Sequence, residues 1–204
     1  MTIAAKRSSM ILFSDPRDHY SHRVRMVLAE KGVTVELSDS TAAEISKDMF
    51  DLNPYGSLPT LADRDLVLYE ANVIMEYLDE RFPHPPLLPV DPISRAKFRL
   101  ALHEIENQWY PEYIKSYNDE QLDIKFVDKI KSYFLEIAPL IKKGFFMSED
   151  FGLVDASLAP LLWRLKSLDF DLAQNNKIIS EYSERIFERE SFQESLTESE
   201  KELF

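Results

Sequence analysis

The run SDPRDHYSH at residues 14–22 carries hydroxyls at Ser14, Tyr20 and Ser21, a carboxylate at Asp18 and imidazoles at His19 and His22. A hydroxyl held where a strand gives way to a helix could serve nucleophilic chemistry. Asp18 could equally cap the helix that follows, a common use of Asp. His19 and His22, three residues apart, would begin a metal site, but the sequence supplies no further ligands beside them. Cysteine is absent, which removes disulfides, thiolate nucleophiles and thiolate metal sites. Four glycines leave no phosphate-cradling loop of the P-loop kind. A second run, RFPHPP at residues 81–86, sets His84 between Pro83 and Pro85. An imidazole on a proline-stiffened loop loses little entropy on binding, which suits it to contact with a partner.

The elements that must position these groups alternate in type. SMILFSD reads as a buried strand. In HRVRMVLAEKG, Val24, Val27 and Leu28 share a helical face and Gly32 stops the helix. VTVEL alternates as a second strand, residues 44–50 form a short helix, and NPYG turns. LPTLAD and LVLYE pair as a hairpin around Asp63, Arg64 and Asp65, and residues 71–82 form a helix with Ile74, Tyr77 and Leu78 inward. The order β-α-β-α-β-β-α is thioredoxin-like and predicts a mixed four-stranded sheet with helices. Five prolines between Pro83 and Pro92 then forbid a continuous helix and mark a boundary. Beyond it the pattern is all-helical, over residues 94–117, 120–143, 153–168 and 177–188, with Trp109, Tyr110 and Trp163 at core spacing. The expected division is a thioredoxin-like domain at 1–86 and an all-helical domain at 87–204, which ends in the acidic tail ESLTESEKELF.

A net charge of −12 opposes direct binding to phosphate backbones, so nucleic acid would be reached through a basic protein partner. No apolar run approaches the roughly 18 residues of a membrane span. The apolar stretch after Lys6 and Arg7 is too short for a signal peptide, and the chain reads as cytoplasmic.

The thioredoxin-like order, the proline before the third strand and the all-helical second half resemble the cytosolic glutathione transferase fold over essentially the whole chain. Four segments (YSHRVRMVLAEKGV, DLNPYGSLPTLADRDLVLYE, IMEYLDERFPHPPLLPV and the C-terminal LAPLLWRL with RIFERESF) are similar to the stringent starvation protein A family. That resemblance implies a homodimer, or a heterodimer with a paralogue, that binds RNA polymerase holoenzyme and its sigma subunit during stress. It assigns the partner contact to Pro83, His84 and Pro85. It also implies a cis bond at Pro59 and, at Leu58, the backbone that transferases use to hold glutathione. Asp18 falls where transferases carry the thiol-activating hydroxyl or cysteine; a carboxylate there repels a thiolate. Glu70 is followed by Ala71 where transferases have serine, which removes a hydroxyl from the γ-glutamyl end. Helix-capping Ser or Thr is replaced by Gly152, leaving only the Asp155 half of a capping box. These departures predict a non-catalytic regulator with vestigial glutathione-site positions and no cofactor. The alternative is a glutathione-dependent transferase or peroxidase with an atypical site.

Overall fold

Strand β1, Met10–Ser14, is buried along most of its length, as its unbroken apolar run demands. In the computed structural model, which describes residues 10–41, 47–117, 124–141, 143–168 and 170–203, β1 lies inside a four-stranded sheet ordered β2-β1-β3-β4. β2, Glu36–Asp39, runs parallel to it. β3, Thr60–Asp63, and β4, Leu66–Tyr69, are antiparallel. β2 starts at Glu36 rather than Val33, and as a largely exposed edge strand it needs little apolar patterning. Helices α1, His19–Glu30, and α3, Ala71–Arg81, pack against each other, and Val24, Val27, Ile74 and Leu78 are buried between and beneath them. Between them α2, Lys47–Leu52, is a short helix. The earlier part of the expected 44–50 helix lies outside the described residues.

The chain divides into two compact units, and the division is not collinear with the sequence. Among the described residues, the first comprises those up to Pro85 together with Glu194–Leu203, and the second those within 86–193. The tail, expected to close the helical domain, therefore belongs with the first unit. It forms part of α10, Glu190–Ser195, and α11, Glu198–Lys201.

Within the second unit, α4, Pro92–Glu104, begins with Asp91 accepting from the Ile93 and Ser94 amides and with Pro92 in the first turn. The helix expected over 94–117 passes through a π-helical turn at Ile105–Trp109 before α5, Tyr110–Tyr117. The wider turn carries Trp109 onto Tyr133 in a stack with ring centroids 4.7 Å apart, and Tyr110 donates its hydroxyl to the Ser157 carbonyl at 2.8 Å. α6, Ile124–Ile137, tightens into a 3-10 turn at Ala138–Ile141, while 120–123 and 142 lie outside the described residues. α7, Leu153–Ser167, is buried along nearly its whole length, Asp155, Ser157 and Arg164 included. α8, Leu172–Asn175, and α9, Lys177–Phe187, complete the unit.

The α7 N-terminus explains the missing capping hydroxyl. A Cβ on Gly152 would approach the Leu87 carbonyl oxygen to 2.9 Å, so a side chain is excluded. Asp155 supplies the surviving half, accepting from the Gly152 amide at 2.8 Å, the Phe146 amide at 2.9 Å and the Tyr182 hydroxyl at 2.6 Å. Burial outweighs these bonds and pushes the Asp155 carboxyl up to about 6. Its folded-state proton affinity therefore exceeds that of the unfolded chain, which loses its proton near pH 4. Stability should fall as pH rises from about 4 to about 6 and stay level above that. Asp155→Asn should remove this decline. It should also melt lower at neutral pH by roughly 1.5–3 kcal/mol, because one amide oxygen cannot serve three donors. Thermal melts of both proteins across this range check it; a decline retained in the variant would assign the titration elsewhere.

Candidate functional site

The sheet register aligns Phe13 of β1, Thr60 of β3 and Tyr69 of β4 in one row. The loop after β1, the Leu58-Pro59 turn before β3 and the Glu70-Ala71 step after β4 therefore share one end of the sheet. The five positions that the transferase resemblance singles out (Asp18, Leu58, Pro59, Glu70 and Ala71) stand at that end. The Leu58-Pro59 bond is cis. Its loop is pinned by buried Asn53, whose amide donates to Ser57 O at 3.2 Å and Thr60 Oγ1 at 2.9 Å. Gly56, at φ +58, closes the loop because a Cβ there would meet the Phe50 ring at 2.5 Å. Glu70 has φ +72, costly for a residue with a Cβ, and its side chain makes no cap bond to α3.

The serine hydroxyls and the carboxylate around the end of β1 are committed to structure. Asp18 caps α1, accepting from the Ser21 amide at 2.7 Å, and its other oxygen lies 3.7 Å from His19 Nδ1. Ser21 is buried and its Oγ accepts from the Asp15 amide at 3.1 Å. Ser14, also buried, accepts from Arg25 at 2.7 Å. Tyr20 lies under the Arg23 guanidinium, 4.9 Å from its ring centre. His22 does not join His19 around a metal: its Nδ1 faces Glu200 at 3.2 Å and its Nε2 faces Ser195 Oγ at 3.0 Å. Among the described residues no group of three metal-ligating side chains gathers.

Glu200 comes from the tail and sits at the centre of this end. Arg25 grips it through two bonds of 2.9 and 2.8 Å and also donates to the Ser195 carbonyl at 3.0 Å and the Asp15 carbonyl at 3.1 Å. The Thr197 hydroxyl donates to the Pro16 carbonyl at 2.6 Å and accepts from the Glu200 amide in a complete capping box. The tail is thus clasped onto the β1–α1 loop. Sequence reasoning missed Arg25 and Glu200; the T-x-x-E spacing and an arginine inside RVRMVL were the available signals.

α1 and α3 both lead away from this end, α3 by about 16 Å at 1.5 Å per residue. At their far ends lie Lys31 and the loop Pro83–Pro85. The side chains of Pro83, His84 and Pro85 are exposed, and the His84-Pro85 bond is cis. Beneath them Lys31, with a fully buried side chain, donates to Asp79 Oδ1 at 2.6 Å and to the Pro85 carbonyl. The first unit therefore has two ends of different character. At one the tail is bonded to α1 and to the β1–α1 loop, and at the other a ring stands exposed on a braced loop.

Two family models match the chain: the glutathione S-transferase N-terminal domain over residues 19–81 and its C-terminal domain over 90–190. The delta-class glutathione transferase of Nilaparvata lugens superposes with a TM-score of 0.85, covering 95% of this chain and 96% of that one at 22% identity, which establishes the shared fold. Among sequences, the stringent starvation protein A homolog of Pasteurella multocida is 50% identical over 96% of this chain and 94% of its own. That of Coxiella burnetii is 50% identical over 97% and 96%. The chain belongs to the stringent starvation protein A family, built on the glutathione S-transferase fold.

Asp18→Ala should lower stability by about 1 kcal/mol through loss of the cap. Neither it nor the parent should conjugate glutathione to an aryl halide at millimolar thiol. Turnover comparable to ordinary transferases, lost in the variant, would make Asp18 catalytic.

Proposed function

We propose that this protein is a non-catalytic regulator that binds RNA polymerase holoenzyme and its sigma subunit in the stress response, through the Pro83-His84-Pro85 loop. The observation carrying this reading is that the loop presents its three side chains to solvent while its backbone is tied down. Pro83 has a fixed φ, and Pro85 restricts His84 to extended conformations. A partner therefore meets a ring that can stack and hydrogen-bond with little ordering left to do. Family membership supports a role in starvation stress, and the acidic balance of −12 suits a basic protein surface. The second reading, a glutathione-dependent transferase or peroxidase, is favoured by the strained Glu70 at the end of β4. Against it stand Asp18 capping α1 and Ser14 and Ser21 buried in other bonds.

The working form is proposed to be a two-fold dimer in which α3 packs on residues 94–117 of a second copy, either another copy of this chain or a paralogue. Val73 on α3 and Leu100 on α4 are 50% and 58% exposed, apolar surface that such packing would cover. Light scattering at micromolar concentration should give twice the mass of one chain; a monomer mass would end this part of the reading.

Replacing Pro83, His84 and Pro85 together by alanine should leave the melting temperature within a few degrees of the parent, since exposed side chains contribute little to stability. Polymerase-dependent activation in a purified transcription assay should be lost. Full activation by a normally folded variant would remove the loop from the contact.

A further inference from the structure

We propose that Lys31 and Asp79 are positioning residues for the partner contact, holding the Pro83–Pro85 loop in its binding-ready shape. The proposal rests on the reading of that loop as the polymerase contact. Lys31 follows the last turn of α1, where a lysine ordinarily extends its ammonium into water. Here the side chain is 0% exposed and Asp79 is 9% exposed. Removing two charges from water is costly, and an apolar pair of similar volume would join α1 to α3 at least as well. Helix pairing therefore gives no reason for the charges.

The second bond of Lys31 gives one. Its ammonium also donates to the Pro85 carbonyl, which belongs to neither helix. A carbonyl on an exposed loop can be satisfied by water, so this bond is not needed to avoid an orphaned acceptor. What it adds is a fixed point: the backbone immediately after His84 is tied to the buried ammonium, and the ammonium is tied to Asp79 on α3 at 2.6 Å. Proline rings restrict the torsions within the loop, but they leave the loop free to swing as a body about its ends. The Lys31 bond removes that swing. The brace and the contact residue thus form one device, with charge buried below and the imidazole presented above.

The test is a coupling cycle on the intact protein with purified RNA polymerase holoenzyme, reading equilibrium binding alongside melting curves. Lys31→Met should weaken binding at least tenfold, although Lys31 is itself buried and out of the partner's reach. His84→Ala should weaken it as much or more. The double variant should bind no more weakly than His84→Ala alone, because the brace acts only through the ring. The His84 imidazole signals in NMR should also shift or broaden in Lys31→Met, which a role confined to helix packing would not produce. If Lys31→Met fails to fold, Lys31→Met with Asp79→Leu removes both charges together and takes its place in the cycle.

Parental binding by the brace variant, with His84→Ala impaired, would overturn the positioning role and leave the loop as the contact. Additive losses in the double variant would also overturn it, since Lys31 would then act elsewhere. If the triple-alanine loop variant itself binds as the parent does, the reading of the loop fails and the proposal fails with it.

Discussion

The buried carboxylate of Glu200 is the interaction around which the first unit is organised. It lies between Arg25 and His22, with 1% of its side chain exposed. A buried carboxylate is costly unless paired; both its oxygens accept from one Arg25 guanidinium nitrogen and the His22 imidazole lies beside it, which makes burial tolerable. The same arginine reaches Ser14 at the end of β1 and the carbonyls of Asp15 and Ser195. One ion pair thus fixes the end of the strand, the loop after it and a segment 175 residues away in sequence. Losing either partner would strand the other charge, an effect of about 3–5 kcal/mol.

That arrangement bears directly on chemistry. In a transferase the loop after the first strand must keep a hydroxyl or thiol available to a bound tripeptide. Here the loop carries Asp18, whose carboxylate accepts from the Ser21 amide, while Ser14 at the end of β1 accepts from Arg25 and Ser21 in α1 accepts from the Asp15 amide. Glu70 at φ +72 and the pinned Leu58-Pro59 turn lie at the same end of the sheet. At the opposite end of α1 and α3 a second buried ion pair, Lys31 with Asp79, lies beneath the exposed His84 ring. On the proposed reading, the fold supplies rigidity to a contact instead of an environment to a nucleophile.

Much of this was legible in the sequence because it is local. The β-α-β-α-β-β-α order follows from periodicity and turn residues, and Gly32 does stop α1, at φ +62. The half capping box at Gly152 and Asp155 was visible as well, though the reason for the glycine, the nearby Leu87 carbonyl, was not. What the sequence hid is long-range burial of charge. Arg25 and Lys31 carry no local signal of burial, and His22 reads as half of a His pair; each is paired with a residue far away in the chain. The tail reads as an acidic, solvated end because nothing local to Glu200 announces an arginine waiting for it. The π turn at Ile105–Trp109 was not foreseen either, the sequence reading having run a single helix over 94–117.

The central claim is that this glutathione transferase fold serves a protein contact and not thiol chemistry. The most direct measurement is an equilibrium titration of the intact, labelled protein with purified RNA polymerase holoenzyme, performed with and without millimolar glutathione. Saturable binding with the same affinity in both conditions is the expected result. Absence of binding to holoenzyme, with glutathione saturating the labelled protein instead, would contradict the account.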